Sequence, residues 1–275
     1  MPSDLVEVVF KGNRTGIYSN PVGITLKTGD YVIVEAERGE DIGIVVALGR
    51  VVSLKEMDTE PKKLMRLATD DDLNKLKTNR IEEESAFEVC KEKINKHNLN
   101  MKLVDVEYQF DKNKLTFYFT SDQRVDFRQL VRDLASKYKT RIELRQIGVR
   151  DEAKRLGGYG TCGYKLCCAT FMREFETITT QHAKEQLLPM NPSKLSGVCG
   201  RLKCCLSFEK IFYLKELEKY PEVDKQIITP NGRGIVDKVD IFHGWVYVRL
   251  ANDDLEKYTL DQLQDSTASP ATEEA

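Results

Sequence analysis

Several kinds of chemistry are missing from this chain. Histidine occurs three times, at His97, His182 and His243, scattered and on no common spacing. Neither a histidine base beside a nucleophile nor a histidine metal site is therefore expected. No P-loop, G-x-S-x-G or H-E-x-x-H string occurs, which removes the common signatures of phosphate cradles, serine hydrolases and zinc proteases. No stretch approaches the roughly 18 to 20 apolar residues of a membrane helix. Met1 to Phe10 carries acidic residues and no long apolar core of an export signal, so the expected location is the cytoplasm. Positive charge is not in excess either: 42 Lys and Arg against 44 Asp and Glu leave a net charge of -2, unlike proteins whose main affinity is for nucleic-acid phosphates. These absences predict a protein that is not an enzyme and whose dealings with RNA are local or indirect.

What is present is ordinary globular material. Hydrophobic residues make up 41% and charged residues 31% of 275, enough for two to four compact units. The pattern predicts an α+β protein. Residues 1–65 read as a small, barrel-like N-terminal β-unit, with strands at Leu5 to Phe10, Gly23 to Leu26, Tyr31 to Ala36 and Ile42 to Leu48. Residues 66–147 form a central mixed α/β layer. Leu73, Leu76, Phe87 and Ile94 suit one or two amphipathic helices, and Val104 to Phe110 with Leu115 to Phe119 alternate as a hairpin. Phe127, Leu130, Val131, Leu134 and Tyr138 then mark a helix opened by an Asp126–Gln129 capping box, followed by a strand from Arg141 to Ile147. Residues 148–221 are a Cys-rich, metal-binding segment poor in apolar residues, whose one clear helix lies near Ala183 to Leu188; a bound metal would supply the missing cohesion. Residues 222–265 make a small C-terminal β-unit, and 266–275 a disordered tail.

Six of the seven cysteines fall between Cys162 and Cys205. In a reducing compartment this is not a disulfide framework. Cys162-Gly163-Tyr164-Lys165-Leu166-Cys167-Cys168 recurs 37 residues later as Cys199-Gly200-Arg201-Leu202-Lys203-Cys204-Cys205. The symmetry makes Cys162, Cys167, Cys199 and Cys204 the candidate ligands of one four-thiolate centre. Neighbouring residues seldom both ligate one tetrahedral centre, so Cys168 and Cys205 either pack as small hydrophobes or face another partner. Zinc prefers gaps of two to four residues and ferredoxins also use a gap of four, so spacing alone leaves an iron-sulfur cluster and zinc both open. Lys165, Arg201, Lys203 and Arg155 are placed to offset the negative charge of such a centre. Cys90, at helical spacing from Phe87 and Ile94, is a packing residue.

The run from Asp126 to Phe208 contains D-F-R-Q-L-V-R-D-L-A, R-I-E-L-R-Q-I-G-V-R-D-E-A-K, L-G-G-x-G-x-C-G, L-C-C, N-P-S-K and G-x-C-G-R-L-x-C-C-L. It resembles the PSP1 domain of the YaaT (RicT) family, with a weaker likeness upstream through Met101 to Glu107. The resemblance implies a bacterial accessory protein that carries [4Fe-4S] clusters and assembles with two small helical proteins of the YlbF/YmcA type. It also implies a role in RNA processing by a membrane-anchored, RNase Y-like endoribonuclease. It assigns the in-chain cluster to Cys162, Cys167, Cys199 and Cys204, and a second cluster, shared with a partner, to Cys168. Cys168 is then expected to face outward and Cys205 to be buried. Two other classes remain on the residues: a zinc-stabilised RNA-binding adaptor, and a redox or electron-transfer protein.

Two further signals carry less. Gly158 to Gly163 spells G-x-G-x-x-G, but a polar stretch, Val149 to Leu156, separates it from any strand and a cysteine occupies the loop, so a dinucleotide site is not expected. Arg128, Arg132, Lys139, Arg141, Arg145, Arg150 and Lys154 make the surrounding stretch basic. They read first as a solvated face and second as a surface for RNA or an acidic partner; without interleaved aromatics, sequence-specific single-strand binding is not expected.

Overall fold

Val6, Val8, Val32, Val34 and Val45 are buried on short strands rich in β-branched residues, which suit a pleated surface. The computed structural model, describing residues 5–53 and 60–267, closes them into a barrel. Its strands are β1 (Leu5–Val9), β2 (Thr15–Ser19), β3 (Tyr31–Glu35), β4 (Glu40–Leu48) and, after a short helix α1 (Arg50–Ser53), β5 (Lys62–Leu67), in the order β1-β2-β5-β3-β4. All pairs are antiparallel except the short β2–β5 seam, where Tyr18 meets Lys62 and Ser19 meets Lys63. Gly43 is required where β4 crosses β1: an added Cβ would stand 2.3 Å from Val8 Cγ1 and 2.8 Å from the Val9 carbonyl oxygen. The strand expected at Gly23 to Leu26 does not form. The Asn20 side chain bonds both the N–H and the carbonyl of Ile24 at 2.9 and 2.8 Å, and such a local closure competes with ladder pairing.

The central layer follows the expected order. A single helix, α2 (Asp70–Lys96), is opened by a capping box between Thr69 and Asp72. The hairpin β6 (Lys102–Tyr108) and β7 (Lys114–Thr120) is antiparallel; after α3 (Arg128–Tyr138), β8 (Arg141–Gln146) joins β7 in parallel. Ala86, Cys90 and Ile94 of α2 and Leu130 and Leu134 of α3 pack on Leu103, Val106, Leu115 and Phe117 of the sheet. The Asp126–Gln129 box is absent because Asp126 accepts from the Arg128 guanidinium at 2.6 and 2.9 Å while Gln129 reaches Asp133. The polar stretch Val149–Leu156 is a helix, α4, ending at Gly157.

The chain divides into two units, residues 1–173 and 174–275. In the second, residues 174–221 hold three helices where sequence predicts one near Ala183 to Leu188: α5 (Thr180–Glu185), α6 (Pro192–Leu195) and α7 (Cys205–Leu217). Ala183, Leu195 and Leu206, flanked by Ile178, Leu188 and Leu202, give this stretch a small core of its own. An open antiparallel sheet follows, with β9 (Gln226–Thr229), β10 (Gly232–Asp240), β11 (Trp245–Leu250) and β12 (Leu255–Tyr258) in the order β12-β11-β10-β9, closed by α8 (Leu260–Thr267). Its core is Val236, Val239, Val246, Val248, Tyr258 and Leu263. Beyond residue 267 the tail lies outside the described residues. No described helix is long and apolar enough to cross a membrane.

Candidate metal centre

The two cysteine repeats fold into the same turn. In the first, Tyr159 and Lys165 form an antiparallel bridge; 37 residues on, Ser196 and Leu202 do the same. The Gly160 N–H donates to the Tyr164 carbonyl at 2.8 Å, as Gly197 does to Arg201 at 2.8 Å. Gly163 donates back to Gly160, as Gly200 does to Gly197, each at 3.0 Å. Leu166 closes the base on the Gly158 carbonyl, and Lys203 on that of Leu195. Past the turn, Ala169 and Leu206 each donate to the carbonyl three residues back. Every one of these bonds has its partner at the 37-residue offset. Gly163 and Gly200, directly after the first cysteine of each turn, have φ of 81° and 75°, a region that side chains with a Cβ disfavour. The glycine in each C-G pair is thus a backbone requirement.

Each turn offers its first cysteine at the tip and its second where the chain enters a helical turn. Cys162 is exposed; Cys167, Cys199 and Cys204 are half-buried. Cys162 and Cys167 belong to the first unit, Cys199 and Cys204 to the second. Among the described residues, no three His, Cys, Asp or Glu side chains are grouped so as to hold a metal ion. The donor set by itself fits a thiophilic group: two turns of one geometry, each with thiols at the same two places and no carboxylate or histidine between them.

The neighbouring thiols depart from expectation. Cys168 is not outward-facing: it is 6% exposed and lines a cavity of about 210 Å³ with Val9, Thr15 and Val46 of the barrel wall. The expectation assumes an extended loop with alternating side chains, whereas Cys167–Ala169 is a 3-10 turn, where alternation does not hold. Cys205 is half-buried rather than buried, at the start of α7. Burial, with Glu209 and Cys204 adding to it, pushes its thiol above the ordinary range. Cys90 is fully buried in the central core, which pushes its thiol up to about 12.

Arg155 has a different task from the one expected. Its side chain is 8% exposed, with the guanidinium stacked 3.4 Å from the Tyr118 ring centroid and paired with Asp105 at 2.6 Å and Glu107 at 3.4 Å. Glu107 in turn holds Arg14 at 3.2 Å and accepts the Tyr118 hydroxyl at 3.0 Å. Burial would lower Arg14, but Glu107 and Asp41 outweigh it and hold it charged. Tyr118 is pushed to about 12, first by burial and then by Glu107. Lys11 extends the network to Asp105 at 2.8 Å and Glu83 at 2.7 Å. With Asn13 bonding the Lys154 carbonyl at 3.1 Å and Arg173 pairing with Glu7, this network ties α4, and the cysteine turn directly after it, to barrel and central sheet. The sequence signal is weak: the charged residues of D-V-E in β6 sit at alternate positions, on the side opposite the helices.

Fold and turns together define a class, an α+β scaffold framing two copies of one C-x4-C turn. The chain belongs to the PSP1 family. The family profile described as the PSP1 C-terminal conserved region matches residues 62–147, and that of the third domain of PSP1-like proteins matches 177–220. The second turn lies inside the latter and the first between the two. The chain is 46% identical over 261 residues, covering 94% of it and 95% of the relative, to "Stage 0 sporulation protein YaaT" of Bacillus subtilis (strain 168). It is 34% identical over 168 residues to an uncharacterized protein of Schizosaccharomyces pombe and 29% identical over 223 residues to "Protein PSP1" of Saccharomyces cerevisiae; these matches span 50% and 51% of the chain but 22% and 26% of the two relatives. No solved structure matches.

Proposed function

We propose that this protein is a non-catalytic regulatory subunit whose Cys162, Cys167, Cys199 and Cys204 hold a [4Fe-4S] cluster. In this reading it assembles with two small helical proteins of the YlbF/YmcA type and modulates RNA processing by an RNase Y-like endoribonuclease. The observation that carries the cluster assignment is the repeated turn: the same bonds, the same positive-φ glycine and the same two cysteine positions, 37 residues apart. When bound, such a cluster supplies a redox-active centre and cross-links the segments that ligate it. The chain's own part is to hold two thiols per turn at fixed spacing, with exposed Lys165 and Arg201 beside them to offset the anionic charge. The buried place of Cys168 gives no support to a cluster shared with a partner, and Cys168 is not among the proposed ligands.

The test is anaerobic purification from an iron-replete host, followed by iron, sulfide and zinc analysis. Iron and acid-labile sulfide in near-equal amounts are expected, lost on changing any of the four cysteines to Ser and retained in Cys90→Ser. Stoichiometric zinc without sulfide would overturn the iron-sulfur reading. Copurification with the helical partners, with and without iron, tests the assembly separately.

A further inference from the structure

The open sheet of the C-terminal unit uses only one of its faces for packing. Val236, Val239, Val246, Val248 and Tyr258 enter its core, so the alternate residues of the same strands form the opposite face. On β11 these are Trp245, Tyr247 and Arg249, two half-buried aromatics and a cation at successive outward positions. The flanking strands set a lysine against each ring. Lys238 of β10 is paired in register with Tyr247 and its ammonium lies 5.7 Å from the ring centroid; Lys257 of β12 stands 4.8 Å from the ring of Trp245. Exposed Ile235 and Leu255 are paired in register with Arg249 on its two sides, and exposed Arg233 lies two residues before Ile235 on β10.

The charge pattern of this face is selective. Arg249 is held by Asp237 at 2.6 Å and Asp253 at 3.2 Å, and Asp240 takes His243 at 2.9 Å. Those carboxylates are therefore occupied. Among the described residues no ion pair holds Lys238 or Lys257, and each ammonium faces a ring instead. An ammonium over an exposed ring gains only about 0.5–1 kcal/mol, so both can turn to an anion at little cost. Two ring faces about 7 Å apart on alternate residues of one strand, each with a cation beside it, match a ligand that alternates flat π-surfaces with anions. An acidic peptide would meet the lysines and leave the rings without a use. A duplex hides its base faces.

We propose that this face binds single-stranded RNA, Trp245 and Tyr247 stacking on bases while Lys238 and Lys257 meet phosphates. The choice of RNA rests on the RNA-processing reading above; the stacking and charge contacts carry the rest. A net charge of -2 keeps general phosphate attraction low, so stacking is the larger contribution.

Trp245 is the chain's one tryptophan, so its fluorescence in the full-length protein reports this face directly. Titration with oligouridylate should quench it, and a duplex RNA of equal length should not. Tyr247→Ala should weaken binding roughly tenfold, the effect of removing one base–aromatic stack, and Tyr247→Phe should restore it. Lys238→Gln combined with Lys257→Gln should flatten the dependence of log affinity on log salt by about 0.7 for each phosphate left without its cation. Circular dichroism of each variant separates failed binding from failed folding. An unquenched tryptophan, affinities unchanged in the ring and lysine variants, equal binding of duplex, or binding of oligothymidylate but not oligouridylate would each overturn the proposal. Iron and sulfide content of the same samples is read independently, so failure here leaves the cluster assignment standing.

Discussion

Cys90 and Cys162 occupy opposite thiol environments, and the difference can be measured. Cys90 is fully buried and its thiol is raised to about 12 by that burial, so iodoacetamide should leave it untouched at pH 8 until the protein unfolds. Cys162 is exposed and should be alkylated in the native, metal-free protein. Mass spectrometry of native and urea-unfolded samples gives both results; early loss of the Cys90 thiol would contradict the packing. Glycines separate in the same way. At Gly163 an added Cβ meets nothing within 4 Å, so Gly163→Ala should cost only the backbone strain of φ 81°, about 1–2 kcal/mol. At Gly43 the added carbon collides with Val8 and the Val9 carbonyl, and roughly 2–3 kcal/mol is expected. Urea unfolding of the two variants ranks them. The residue pattern C-G-x-x-x-C-C makes the turn and its glycine legible in sequence. It does not show that Cys168 points into the barrel wall, because that depends on residues such as Val9 and Val46, more than a hundred positions away.

At the scale of the element, the start of α2 is sensitive to acid. Asp72 accepts from Arg66 at 2.5 and 3.1 Å and from the Thr69 N–H at 2.8 Å. The Arg66 hydrogen bond, ahead of the Thr69 bonds, holds its carboxyl well below the usual range. A carboxylate depressed on folding adds stability that is fully present above its unfolded value near 4 and is lost as pH falls through the lowered folded value. Discounted for the half-exposed guanidinium, the contribution is about 1 kcal/mol. The stability gap between wild type and Asp72→Asn should therefore be constant from pH 7 to 5 and shrink below pH 4 in urea titrations; a gap that widened on acidification would refute the assignment. Elements with a clean period, such as α3 and the β6–β7 hairpin, are legible in sequence. Helix α4 is not, since Val149, Ala153 and Leu156 are its few apolar residues and none is buried. Helix α7 escapes notice for the opposite reason: C-L-S-F-E-K-I-F-Y-L-K-E-L is apolar on all sides, so no stripe stands out.

The whole molecule is two units, and the one tryptophan belongs to the second. Trp245 fluorescence should follow unfolding of residues 174–275 alone, whereas far-ultraviolet dichroism follows both units. In the metal-free protein the two urea curves should not coincide; a single shared transition at every wavelength would show that the units unfold as one. The repeated cysteine turn has a further consequence, for chain length. Within a copy, bonds from residue 160 to 164 and from 158 to 166 count residues as a ruler does, so one amino acid inserted between Cys162 and Cys167 shifts every pairing and misplaces a sulfur. Between the copies no such ladder counts. The 37-residue interval includes the break between the units after Arg173, and lengthening it there by a few residues should leave both turns intact. Length is fixed within each turn, and tolerance to added residues is expected in the span that joins them.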